Sequence, residues 1–255
     1  MSDLFDLSGK VAVVTGGSRG MGREMILAFA QHGADVVVAS RKLEACEELA
    51  EEVRDTTGRQ ALAVACHVGY WDQCDALCDT VYDEFGRCDV LVNNAGLSPL
   101  YPSLYEVTEE LYSKVLDVNL KGPFRLSAAF GKRMFDSDGG SIINVSSVAA
   151  VEPTPNETAY GAAKAGLHAI TKSFAREYGP KVRVNCIMPG PFLTDISKAW
   201  DMEVFNARAE TDIPLRRGGE ADEIVGAALY FASAASSYTT GSILKVDGGV
   251  GWAAG

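Results

Sequence analysis

Apolar positions along this chain fall into short, dense runs separated by longer amphipathic stretches. Lys10 to Thr15 is one such run, β-branched and of strand length. Others lie at 35–39, 61–66, 88–92, 140–146, 181–187 and 242–246. Between them, 20–31, 42–57, 71–85, 108–135, 158–178 and 221–232 carry helical spacing. Strict alternation of the two kinds predicts βαβ units and a parallel sheet. No internal repeat, low-complexity tract or linker interrupts it, so residues 1–255 are expected to form one domain. The exception is the stretch of about 191–219, where Phe192, Leu193, Trp200, Met202, Val204 and Phe205 sit among charges without a clear period. A segment of that length in a compact domain is usually functional or mobile, and we expect a lid over a substrate.

Composition narrows the function. The chain of 255 residues is 47% hydrophobic, enough to fill a sizeable core. A net charge of −11 without a lysine/arginine block argues against nucleic-acid binding. No long uncharged apolar span and no basic-then-apolar leader stand out, so no membrane partner and a cytoplasmic setting are expected. Cysteines 46, 66, 74, 78, 88 and 186 have no metal-ligand spacing and are read as reduced thiols, with no metal site.

The candidate chemistry centres on Tyr160-Gly-Ala-Ala-Lys164, with Ser147 upstream. A phenol and an ammonium four positions apart share one helix face. A free tyrosine has a pKa near ~10, and a nearby cation favours the phenolate. Bringing it to about 7 takes roughly 4 kcal/mol, within reach of an ammonium, a cofactor charge and a serine hydrogen bond acting together. The expectation is a tyrosine made acidic enough to exchange a proton with an alcohol or carbonyl oxygen. Taken alone, the Tyr-x-x-x-Lys spacing arises by chance in many helices.

A second motif follows the first strand. Gly16-Gly-Ser-Arg-Gly20-Met-Gly22 leads into a helix, a layout in which a sharp turn lets a pyrophosphate approach the helix N-terminus. Its spacing differs from Gly-x-Gly-x-x-Gly. Nucleotide choice is read at the end of the second strand, where an NAD site usually carries a carboxylate. This chain has Ser40 and Arg41 there, while Asp35 lies at the strand's other end. Arg41 and Arg19 suit a 2′-phosphate fork, which points to NADP(H), with NAD(H) as the alternative.

Together these motifs resemble the short-chain dehydrogenase/reductase family, over nearly the whole chain. Thr15 to Gly22 resembles its cofactor loop, contributing Gly16, Ser18, Arg19, Gly20, Met21 and Gly22. Asn93-Asn94-Ala95-Gly96 resembles the motif closing its fourth strand. Asn119, Ser147, Tyr160 and Lys164 match its catalytic tetrad. Pro189-Gly190 with Thr194 matches the nicotinamide segment, and Val246-Asp-Gly-Gly249 its last strand. The resemblance implies a Rossmann-type, doubly wound α/β fold with a mostly parallel seven-stranded sheet. It also implies hydride transfer between a nicotinamide and a carbonyl or secondary alcohol, with Tyr160 as general acid/base. Ser147 would hydrogen-bond the reacting oxygen, Lys164 would lower the tyrosine pKa and hold the ribose, and Asn119 would position a water. One departure is His67-Val68, where the family commonly has Asp-Val facing the adenine; His67 would accept the adenine's hydrogen bond or stack on it.

Ser98, Pro99, Leu100, Val151, Phe192 and Trp200 are expected to line the substrate pocket and favour a small uncharged carbonyl or alcohol. A 3-oxoacyl-thioester reductase acting on a carrier protein or coenzyme A is the alternative. Lys132 and Arg176 could meet an acidic carrier, but Asp136, Asp138 and the net charge oppose it. A non-catalytic dinucleotide sensor is a remote third reading, opposed by the complete tetrad. The resemblance also implies a homotetramer, with Trp252 in the terminal tail docking on a neighbouring subunit.

Overall fold

A computed structural model describes residues 4–194, 197 and 200–251; Trp252 lies outside the described residues. The strand runs become β1 (Val11–Thr15), β2 (Asp35–Ser40), β3 (Ala61–Ala65), β4 (Val90–Asn93), β5 (Gly140–Val145) and β6 (Val182–Pro189). Two short strands, β7 (Phe192–Leu193) and β8 (Gly219–Glu220), precede β9 (Ile243–Val246). The main sheet has seven strands in the order β3-β2-β1-β4-β5-β6-β9, with every described pairing parallel. The fold is therefore the expected doubly wound one.

Period-two alternation explains the two cores. Along β1, Ala12 and Val14 face α1 (Gly20–Gln31), while Val11 and Val13 face the opposite layer. The first layer packs Met25, Ile26 and Phe29 of α1 with Leu49 and Val53 of α2 (Leu43–Thr57). The second packs Leu77 and Val81 of α3 (Trp71–Phe85), and, from further along the chain, Leu126, Phe130 and Met134. Phe29 and Phe130 are fully buried on opposite faces, each worth about 2–3 kcal/mol of transfer free energy. Covering both faces is what a fully parallel sheet requires. It leaves the carboxyl ends of the strands as the open edge, with the crossover between β1 and β4 forming the switch point where ligands bind.

The expected single helix over 108–135 is divided. Its parts are α4 (Glu109–Leu116), a π-helical turn at Asp117–Lys121, and α5 (Gly122–Asp136). Gly122 N–H reaches back to Asp117 O, five residues earlier. Pro123 lacks the N–H that an α-helix would bond to Asn119 O, so the ladder widens there. Gly122 also passes so near the loop after β3 that a Cβ would lie 2.3 Å from Val68 O.

α6 (Thr158–Glu177) runs beside α4 and the π turn. The stretch 191–219 holds an element without a sequence signal, α7 (Met202–Asp212), capped by Asp201 Oδ1 accepting from Glu203 N and Val204 N at 3.1 Å. β7 and β8 tie its two ends together. α8 (Val225–Ala232) then packs on α1, preceded by a 3-10 turn at Ala221–Ile224. All six cysteines are buried. Among the described residues no helix is long and apolar enough to cross a membrane.

Candidate active site

A cavity of about 820 Å³ runs along the open edge of the sheet. One end is built from backbone. β1 ends at Thr15, and the loop turns through Gly16 (φ +62°) into α1, which begins at Gly20 (φ +53°). Both values lie in the left-handed region that glycine adopts without strain. A Cβ on Gly22 would stand 2.3 Å from Gly16 O and 2.6 Å from Asn94 Nδ2, so only hydrogen fits. Asn94 braces this turn, donating from Nδ2 to Thr15 O at 2.9 Å and Gly16 O at 3.1 Å. Its amide therefore supports the loop. Ser18, Arg19, Gly20, Met21, Ala95 and Gly96 line the cavity beside it, at the N-terminus of α1, where backbone N–H groups lack helical partners.

Ser40 and the exposed Arg41 line the same end. Asp35, at the other end of β2, is occupied by Arg59 Nη2 at 2.7 Å and Gln60 N at 2.9 Å. Among the described residues lining the cavity at the carboxyl end of β2, none is a carboxylate. Cys66, His67 and Val68 complete the wall. His67 Nδ1 accepts from Gly69 N at 3.1 Å, and its ring lies 4.7 Å from that of Tyr70. With Nδ1 accepting, a neutral imidazole carries its proton on Nε2 and presents a donor. The expected acceptor role toward an adenine amino group does not fit this geometry.

The other end is built from side chains. Ser147 follows β5 and caps a 3-10 turn through Ala149 N (3.2 Å). Tyr160 and Lys164 project from α6, with Lys164 Nζ 5.5 Å from the centroid of the Tyr160 ring. Lys164 is buried and donates to Val145 O at 2.8 Å. Burial lowers its pKa to about 8. Burial also dominates at Tyr160, pushing the phenol up to about 12. A hydrogen bond with Ser147 opposes that rise and the Glu157 carboxylate adds to it. In the protein on its own, Lys164 is thus not what sets the Tyr160 proton affinity. The phenol loses more hydration than Ser147 replaces, and the lysine, itself desolvated, faces the ring and is committed to Val145 O. In this state Tyr160 is held protonated through neutral pH, as a proton donor.

Asn119 sits in the π turn, fully buried. Its Oδ1 accepts from Leu97 N at 3.2 Å, and Nδ2 donates to Leu97 O (2.8 Å) and Val115 O (2.9 Å). The side chain does not line the cavity; it holds the loop after β4. A Cβ on Gly96 would lie 3.0 Å from Asn119 Oδ1 and 3.5 Å from Lys164 Nζ, so this glycine brings the two together.

Pro189, Gly190 and Thr194 line the floor, and Ser98, Leu100, Phe192 and Trp200 the substrate side, as expected. Pro99 and the half-exposed Val151 stand outside the lining. Val204 and Phe205, expected in the lid, also line the cavity; Glu152, Thr154 and Glu157 before α6, and Asp201, Arg208, Ala209 and Asp212 of α7 and its cap, were not singled out from the sequence. α7 carries no apolar stripe that would have marked it. Glu157, one turn before Tyr160, was findable from the helix period alone. Lys132 bonds Asp136 in place, and neither it nor Arg176 lines the cavity.

The site fits a dinucleotide on the structure's own terms. The cavity joins a glycine cradle, a helix N-terminus and cationic groups at the β2 end to the Ser147–Tyr160–Lys164 cluster.

Comparison with known proteins gives the same frame. A family model described as enoyl-(acyl carrier protein) reductase matches residues 16–251. The chain is 38% identical over 245 residues to a 3-oxoacyl-[acyl-carrier-protein] reductase, FabG, of Chlamydia muridarum, covering 96% of this chain and 98% of that protein. A crystal structure described as a short-chain alcohol dehydrogenase of Sinorhizobium meliloti superposes with a TM-score of 0.93 at 37% identity, covering 97% and 98% of the two chains. L-sorbose reductase of Gluconobacter frateurii, solved with NADPH and L-sorbose, gives 0.91 at 30% identity over 97% and 98%.

Proposed function

The chain belongs to the short-chain dehydrogenase/reductase family of oxidoreductases, and we propose that it is an NADP(H)-preferring enzyme acting on low-molecular-weight carbonyls and secondary alcohols. One observation carries this reading: Ser147, Tyr160 and Lys164 cluster in the wall of a cavity continuous with the glycine loop. When bound, a nicotinamide cofactor supplies or takes up the hydride.

The chain's own residues handle the rest. The loop at Gly16, Ser18, Gly20, Met21 and Gly22 would receive the pyrophosphate at the start of α1. Ser40 and Arg41, with Arg19 nearby, would take the 2′-phosphate, a role supported by the lack of a carboxylate among the described residues lining the carboxyl end of β2. The NADPH found in the sorbose reductase agrees with that choice. Val68, Ala95, Pro189, Gly190 and Thr194 would flank the cofactor, with His67 offering its Nε2 proton.

At the reacting end Tyr160 donates its phenolic proton to the substrate oxygen, and in reverse receives it. Ser147 hydrogen-bonds that same oxygen and stabilises its developing charge. Lys164 holds a proton beside the ring and would contact the ribose. Asn119 is a positioning residue that fixes the Leu97 loop. The segment of about 191–219 would act as a lid; among its described residues, Trp200 and Phe205 line the cavity with tilted rings 5.1 Å apart. A homotetramer in the cytoplasm goes with the reading, its contacts drawn from the outer faces of α5 and α6 and from β9. Phe124 and Leu244 there are partly exposed.

A 3-oxoacyl-thioester reductase is the second reading, favoured by the similarity to FabG. Against it, Lys132 is paired and both candidate carrier-binding cations lie away from the cavity. Oxidation of NADPH and NADH, measured across ketones, aldehydes and acyl thioesters, tests the proposal. It predicts turnover with ketones or aldehydes exceeding that with thioesters, and tighter binding of NADPH than NADH. Faster thioester reduction would move the assignment to the second reading, and cofactor binding without any oxidation would move it to a sensor.

A further inference from the structure

Among the described residues, the two ends of the cavity differ in the charged side chains that line them. Arg19 and Arg41 line the cofactor end. Around the substrate end stand the carboxylates of Glu152, Glu157, Asp201 and Asp212. Among the described residues, two cations share that end. Arg208 lies 3.6 Å from Asp212 and is balanced by it. Lys164 is buried and committed to Val145 O. Asp201 uses Oδ1 to cap α7. Glu152 and Glu157 form no ion pair among the described residues, and the field of Glu157 reaches the Tyr160 phenol. The chain's net charge of −11 adds a long-range field of the same sign.

Resting on the proposed oxidoreductase reading, we infer that this acidic pole sorts substrates by charge: cationic carbonyls and alcohols are taken ahead of neutral ones, and anions are excluded. An anion entering the cavity beside Tyr160 would be repelled by the half-buried Glu157 and the exposed Glu152, neither of them ion-paired among the described residues. A substrate ammonium would find the same carboxylates as partners, with hydrogen bonds strengthened by charge. The pole therefore discriminates against carboxylate-bearing and phosphate-bearing substrates, acyl thioesters of coenzyme A among them.

Three methyl ketones of matched length test this, each carrying at the same distance from the carbonyl a trimethylammonium, a tert-butyl or a carboxylate group. With NADPH saturating and ionic strength low, kcat/KM is expected to fall in that order, the cation-to-anion ratio exceeding about tenfold. Raising the salt should compress the ratio, because the interaction is screened. Glu152→Gln combined with Glu157→Gln should shrink it by roughly tenfold, judged as a ratio within each protein. An anion reduced as well as the cation would overturn the inference, as would a ratio unmoved by both salt and the double substitution. If NADPH binds but none of the three ketones is reduced, the oxidoreductase reading falls first and this one with it.

Discussion

The two ends of the cavity are made of different material. At the glycine end the working parts are backbone groups: a turn at positive φ, a helix start, and contacts so close that Gly22 tolerates no Cβ. At the reacting end they are side chains whose proton affinities have been displaced by burial, Tyr160 upward and Lys164 downward. Backbone geometry is inherited from the strand and helix that carry it and works the same with or without ligand. Proton affinity depends on what else fills the site. The protein prepares shape at one end, whereas at the other it holds the right groups in an uncharged-leaning state that a bound ligand must retune.

The sharpest way to break the backbone end is Gly22→Ala. The new methyl group meets Gly16 O at 2.3 Å and the Asn94 amide at 2.6 Å, so the loop must open and Asn94 must release it. We expect a stability loss of about 3 kcal/mol by chemical denaturation, the upper end for overpacking. NADPH affinity should fall at least tenfold in the folded fraction. Unchanged stability and affinity would mean that the loop is not the rigid cradle described.

Lys164→Met probes the reacting end and is a smaller effect of opposite sign. A lysine whose pKa is lowered from 10.5 to about 8 disfavours folding while it is charged. Its full stability contribution is present above the unfolded value and is lost as pH falls toward the folded one. Wild type should therefore gain on the variant by about 2 kcal/mol between pH 8 and pH 10. Because the buried thiols and Tyr160, raised above their usual range, titrate in both proteins, the difference between the two denaturation series isolates the lysine. A flat difference would show the ammonium to be well solvated.

This contrast also separates what was legible in the chain from what was not. The strand runs, the parallel sheet and the glycine loop follow from local periodicity and from residues that admit few conformations, and they appear where expected. That Ser147, Tyr160 and Lys164 come together was equally readable. Their electrostatics were not, because spacing shows that Lys164 is near Tyr160 but not how much water each has lost. Asn119 shows the same limit: a motif names it, yet only the π turn reveals that its amide is spent on Leu97 and Val115. Pro123 held a clue to that turn in the N–H it lacks. A lid was expected over 191–219, but α7 as a helix escaped because it is exposed and lacks a consistent apolar stripe.

In the proposed reaction Tyr160 moves the proton, and Tyr160→Phe tests this with the ring and its packing retained. With whichever ketone the wild type reduces fastest, kcat should drop by about a thousandfold, while the NADPH dissociation constant stays within about twofold. Turnover within tenfold of wild type, at unchanged cofactor affinity, would contradict it.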